Sequence, residues 1–190
     1  APAAFGGTTV EGVVDSRALG APRRVLAYLP FGYRDDGAYK VAVFHGGWGV
    51  AHEGLAPRVL DWLIARGEIE PIVGLFLESW VEGDHENHEG APMRAFLTDE
   101  AQSWLASRYS ASADGDDWAV IAISYGAKDA LDAAVAPSRA YGRLGLLIPG
   151  RRLSPDDLEV FAQHSASPLR VAILNLMPTK VVTETQILRL

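Results

Sequence analysis

The chain has 190 residues, 48% of them hydrophobic and 22% charged, which suits a folded domain with a real core and excludes a disordered chain. A net charge of −7 argues against nucleic acid and anionic membranes as partners, and no apolar run nears the ~20 residues of a membrane span. The absence of cysteine excludes disulfides, thiolate metal ligands and a thiol nucleophile.

The first residues, Ala1 to Gly7, lack a basic segment followed by an apolar one, so no signal peptide is read and a cytoplasmic protein is expected. The chain does not begin with Met, as in a processed protein or an excised piece. Thr8–Asp15 and Arg23–Leu29 are β-rich runs separated by Leu19-Gly20-Ala21-Pro22, a hairpin or meander that Pro30 closes. Lys40–Phe44 is a third strand and runs into His45-Gly46-Gly47-Trp48-Gly49. Leu55, Val59, Leu60, Leu63 and Ile64 recur at helical spacing, with Gly67 as the stop. Pro71–Leu77 is continuously apolar, as in a strand covered on both faces.

The segment from Glu78 to Gly90 has no period and reads as a long polar loop. His85 and His88 stand there among Asp84, Glu86 and Glu89, but no helix or strand fixes their geometry, so no metal site is read. Phe96, Leu97, Glu100, Ala101, Trp104 and Leu105 form the next helix face, and Asp114–Asp117 a turn. Ala119–Ile123 is a buried strand, followed at once by Ser124-Tyr125-Gly126 and by a helical pattern at Ala127, Leu131 and Val135 that Pro137 ends. Gly142–Ile148 is another strand, Ser154-Pro155-Asp156-Asp157 a capped helix start, and Leu169–Leu174 the last strand. The order implies an α/β domain over residues 1–190: a mostly parallel sheet with an antiparallel N-terminal edge and helices on both faces.

Strand, serine, small residues and helix, in that order, are the layout of a nucleophile elbow, in which a sharp turn lifts a serine hydroxyl above the sheet. The usual Gly-x-Ser-x-Gly is here Ala122-Ile123-Ser124-Tyr125-Gly126. A strand-to-helix turn that uses Ser and Gly for capping alone is the competing reading. A serine so placed needs a base, a group to orient that base, and donors for the oxyanion. The amide of Tyr125 is one donor, and the glycine-rich stretch after the third strand, at Gly47 and Trp48, supplies the second. His45, Gly46 and Trp80 are the expected substrate contacts, with Trp48 and Tyr125 as further apolar walls or else as core. Ligand sites of such sheets lie at the C-terminal ends of the strands, which also puts the polar loop over Ser124.

Val25–Tyr33, Phe44–Gly47, Leu60–Gly67, Ile121–Ala130 and Ala140–Leu144 together resemble the esterase D-like and enterochelin-esterase-like branch of the α/β-hydrolases, over about residues 10 to 150. The resemblance implies an α/β-hydrolase-like fold and hydrolysis of a small carboxylic ester through an acyl-enzyme at Ser124, with the oxyanion held by Gly47, Trp48 and Tyr125. It implies a small-molecule ester as partner and neither cofactor nor metal. It leaves open whether the chain is a monomer or a homodimer.

The family's order is Ser, then an acid, then a His near the C-terminus. Here Asn175 to Thr179 follow the last strand, Glu184 is the only later acid, and His164 is the only histidine after Ser124. His164 is thus the sole candidate base in that order, and a surface histidine is the other reading of it. Pro168 to Arg189 resemble a second family, the first strand of homoserine O-succinyltransferases, whose cysteine nucleophile this chain lacks. Three readings stand: a serine hydrolase whose chain is truncated or draws its base from elsewhere, a non-catalytic module of the same fold, or an acyltransferase linked to homoserine metabolism.

Overall fold

The computed structural model describes residues 6–53, 55–78, 90–147, 159 and 169–174. Seven strands form a sheet in the order β1-β2-β4-β3-β5-β6-β7. They are β1 (Thr8–Ser16), β2 (Ala21–Leu29), β3 (Lys40–His45), β4 (Ile72–Leu77), β5 (Trp118–Ile123), β6 (Arg143–Leu147) and β7 (Arg170–Leu174). β1 and β2 are the antiparallel edge, β2 joins β4 antiparallel, and every later pairing is parallel. The expected antiparallel edge on a parallel sheet is therefore present, and each expected strand recurs within two residues of its sequence bounds.

Alternation along the strands separates two layers. Val25, Ala27, Val41, Val43, Leu75, Val120 and Ala122 face one side, against Phe96, Leu97 and Leu105 and against Ala127, Ala130 and Leu131. The first set comes from one continuous helical segment: α3 (Ala91–Ala95), a π-turn over Phe96–Glu100, and α4 (Ala101–Ala106). The second comes from α5 (Ala127–Ala134). Leu26, Tyr28 and Phe76 face the other side, against Ala51 of α1 (Gly47–His52) and Leu60 of α2 (Ala56–Ala65). Helices thus cover both faces, as expected. Gly67, with φ +67, ends α2 in the left-handed conformation that favours glycine.

The π-turn has a structural consequence. It ends at Glu100, whose carboxylate accepts from the Ser16 hydroxyl and from the backbone N–H groups of Arg17 (3.0 Å) and Ala18 (3.1 Å). The β1–β2 turn is therefore capped by a helix distant in sequence. Among the described residues no helix is long and apolar enough to cross a membrane.

Candidate active site

Two turns leave the same edge of the sheet side by side. Parallel pairing of β3 with β5 sets His45 opposite Ala122, so the chain beyond His45 and the chain beyond Ile123 emerge together. On the β5 side Ser124 has φ +55, one of three non-glycine residues with positive φ among those described. A side chain in this region costs about 1–3 kcal/mol and persists only where the surrounding structure imposes it. Strand β5 ends at Ile123 and Ser124–Gly126 form a single 3-10 turn into α5, so the strain sits at the strand-to-helix corner. The capping alternative has no support here, since the N-cap of α5 is Gly126 and carries no side-chain cap.

On the β3 side the sequence suggested a glycine-rich loop, and the structure has a helix there instead. Gly46 adopts φ 76, ψ 13 and turns the chain directly into α1, which starts at Gly47. A Cβ on Gly47 would lie 2.5 Å from Phe44 Cβ and 3.2 Å from Phe76 Cδ1, so only glycine fits between the strand end and its neighbour. Gly47 and Trp48 therefore occupy the first turn of α1, whose N–H groups have no partner within the helix. The Tyr125 N–H follows Ser124 at the neighbouring turn.

The side chain of Trp48 is engaged elsewhere. Its ring lies beneath the Arg24 guanidinium, 4.6 Å from carbon to centroid, and beside His52 at 4.5 Å, on the α1–α2 face. Arg24 in turn pairs with Glu78 and holds that carboxyl below the usual carboxylate range, first through the side-chain hydrogen bond.

His45, expected from the sequence as a substrate contact, is buried, with 2% of its surface exposed. Its side chain alternates with Val41 and Val43 toward the α5 layer, and Nε2 lies 3.4 Å from Asp129 Oδ2. Asp129 is itself 6% exposed, and its other oxygen accepts from the Gly90 N–H at 3.3 Å. Sequence reasoning passed over Asp129. The signal was available: Gly126, Asp129, Ala130 and Ala133 fall at i, i+3, i+4 and i+7, so an acid sits on the face of α5 that the small residues turn to the sheet. Among the described residues no histidine is hydrogen-bonded to Ser124: His45 is turned to Asp129, and His52 to Trp48 and, at 4.0 Å, Glu11. His164 and Trp80 lie outside the described residues, as do His85, His88 and Glu184. The described residues hold no cluster of three metal-ligating side chains.

No family model matches the chain. Among solved structures it is similar to an enterobactin esterase from Shigella flexneri in the presence of enterobactin, with TM-score 0.72 and 22% identity over 86% of this chain and 45% of that one. It is similar to a ferulic acid esterase, with TM-score 0.65 and 18% identity over 84% of this chain and 67% of the other. A feruloyl esterase module from Clostridium thermocellum complexed with sinapinate gives TM-score 0.69 and 14% identity over 86% and 62%. A curated relative, the homoserine O-acetyltransferase of Acetivibrio thermocellus, is 54% identical over 43 residues, which are 20% of this chain and 14% of that protein. The chain thus spans less than half of the enterobactin esterase and a small part of the acetyltransferase. At these identities the solved structures establish architecture, and the chain has the α/β-hydrolase-like fold that feruloyl and enterobactin esterases share.

Proposed function

We propose that the chain carries the nucleophile and oxyanion-binding half of an ester hydrolase, with Ser124 as the acyl-accepting residue. The observation that carries this reading is the positive φ of Ser124 at the β5–α5 corner, next to the turn that starts α1. Strain of that kind has no structural use if the hydroxyl only caps a helix, whereas it suits a hydroxyl presented to a ligand.

In the proposed reaction the Ser124 oxygen attacks the carbonyl carbon of a small carboxylic ester, and its proton passes to an imidazole base. The N–H groups of Tyr125, Gly47 and Trp48 stabilise the tetrahedral oxyanion. The C–O bond then breaks, and the alcohol leaves with the proton from the imidazolium. Water, deprotonated by the same base, releases the acid and returns the hydrogen to Ser124. His164 is the sequence's candidate for the imidazole. Feruloyl and enterobactin esterases are among the similar structures, which favours an ester, and an aromatic acyl group in particular, as the substrate class.

A fluorophosphonate probe tests the proposal. Labelling at Ser124, found by intact mass and peptide mapping and lost in Ser124→Ala, is the expected result. Absence of labelling, or equal labelling of the variant, rejects it.

One observation favours a second reading, a non-catalytic module of the same fold: neither His45 nor His52 is hydrogen-bonded to Ser124. That reading predicts a cooperatively folding chain with no turnover of p-nitrophenyl acetate or butyrate. An acyltransferase acting on homoserine has less support, since the matched stretch is 14% of the acetyltransferase and the chain holds no cysteine.

A further inference from the structure

Asp129 is a buried acid that the proposed chemistry leaves unused. It lies in the first turn of α5, where a carboxylate is favoured by the helix dipole, but a dipole contact is satisfied equally well at the surface. Lys128 and Asp132, neighbours on the same helix, show the surface arrangement: they pair with each other at 2.5 Å, partly in solvent. Asp129 instead faces the sheet, and an ionised carboxylate there requires compensating donors. Among the described residues two are present, and each belongs to a different part of the site.

His45 Nε2, at 3.4 Å, comes from the last residue of β3, directly before the Gly46–Trp48 turn. The Gly90 N–H, at 3.3 Å, comes from the residue where the chain re-enters α3, in a conformation (φ 79, ψ −132) open in practice to glycine. The third participant is the elbow itself. A Cβ on Gly126 would lie 2.9 Å from His45 Nε2 and 3.1 Å from Cγ, so the imidazole is the floor on which the turn after Ser124 rests.

We propose that Asp129 is a positioning residue: through His45 it locks the oxyanion turn at Gly46–Trp48 in register with the Ser124 elbow, and through Gly90 it fixes the start of α3 to the same point. The catalytic meaning of the lock rests on the hydrolase reading above; the lock itself does not. The contact of Nε2 with Asp129 holds the ring, and the strand end that carries Gly46 is held with it. Removing the carboxylate takes away the buried acceptor that Nε2 faces and loosens the ring. The two turns then move independently, and displacements of about 1 Å in such an arrangement cost about a hundredfold in rate.

The experiment compares the wild-type chain with Asp129→Ala, Asp129→Asn and a control, Tyr141→Phe, which removes a buried hydrogen bond to the Leu97 carbonyl away from this cluster. Amide hydrogen exchange at Val50–His52, whose helical N–H groups bond back to the carbonyls of Gly46–Trp48, and at Gly90 is the activity-independent readout. Asp129→Ala is expected to speed exchange about tenfold or more at both places together. Asp129→Asn should restore most of the protection, because its carbonyl still accepts. Tyr141→Phe should leave both sites protected even if it lowers overall stability as much. Unchanged exchange at Val50–His52 in Asp129→Ala overturns the lock, as does an equal rise in Tyr141→Phe. The fluorophosphonate rate at Ser124 adds the catalytic arm: a fall of about a hundredfold in Asp129→Ala is expected, with recovery in Asp129→Asn. A wild-type chain that does not label rejects the hydrolase reading, while the exchange data still decide the lock.

Discussion

The imidazole of His45 occupies the volume that a side chain at position 126 would need. A Cβ built on Gly126 meets three ring atoms, including Nε2 at 2.9 Å, and the ring cannot retreat, being buried on β3 with its Nε2 directed to Asp129. Gly126→Ala should therefore overpack a closed site and destabilise the chain by about 1–3 kcal/mol, read by urea unfolding. His45→Ala in the Gly126→Ala background should recover part of that loss, because it removes the clashing ring. Additive losses in the double variant would show that the two residues do not compete for the same space.

Ser124 makes a second, opposite prediction. Its left-handed conformation costs a residue with a Cβ about 1–2 kcal/mol, and glycine nothing. Ser124→Gly should therefore raise the melting temperature or leave it unchanged, despite glycine's greater freedom in the unfolded chain, while it abolishes labelling. Ser124→Ala, which keeps the Cβ, should also abolish labelling but gain no stability. A destabilised Ser124→Gly variant would mean that the corner is not strained.

What was legible in the sequence follows from which forces act locally. The strands were readable because burial on one or both faces writes a short period, as at Ile72–Leu77 and Trp118–Ile123. The strand-to-helix corner at Ser124 was readable because strand, serine and helix are consecutive. The helix at Gly47–His52 was not, because three of the five residues after His45 are glycine, a poor helix former, and the close approach of Gly47 to Phe44 and Phe76 is invisible in the sequence. The contact of His45 with Asp129 was hidden for a related cause: Asp129 is 84 residues away and reaches His45 only through the packing of α5 on the sheet. The π-turn at Phe96–Glu100 was equally hidden, since its apolar spacing is that of an ordinary helix.

Leu55 carries the same backbone strain without a site to justify it. It is the N-cap of α2 with φ +55, makes no side-chain cap, and is 49% exposed. Asparagine tolerates this conformation and is among the best N-cap residues. Leu55→Asn should stabilise the chain by about 1 kcal/mol with no change in Ser124 labelling, measured by thermal unfolding and by the probe. A loss of stability would show that the exposed leucine is held by contacts that outweigh both its strain and its missing cap.

Alkaline pH should unfold the chain through its buried phenols. Tyr141 donates to the Leu97 carbonyl at 2.6 Å in the core, and burial, the largest influence, pushes its pKa well above the ordinary 10.0. Tyr28 donates to Asp61 at 2.8 Å and is raised in the same direction, again first by burial and then by that carboxylate. A group whose pKa is higher folded than unfolded stabilises the fold fully below its unfolded value and loses that contribution as pH rises toward the folded one. Stability should thus hold up to about pH 10 and fall steeply above it. Tyrosinate absorbance at 295 nm should show two of the six tyrosines ionising only with the unfolding transition seen by circular dichroism. In Tyr141→Phe one of those late-titrating groups should disappear and the transition should begin at higher pH, although the variant is less stable near neutrality by about 1 kcal/mol for the lost hydrogen bond. A gradual titration of all six below the transition would show that these hydroxyls are reached by solvent in the folded chain.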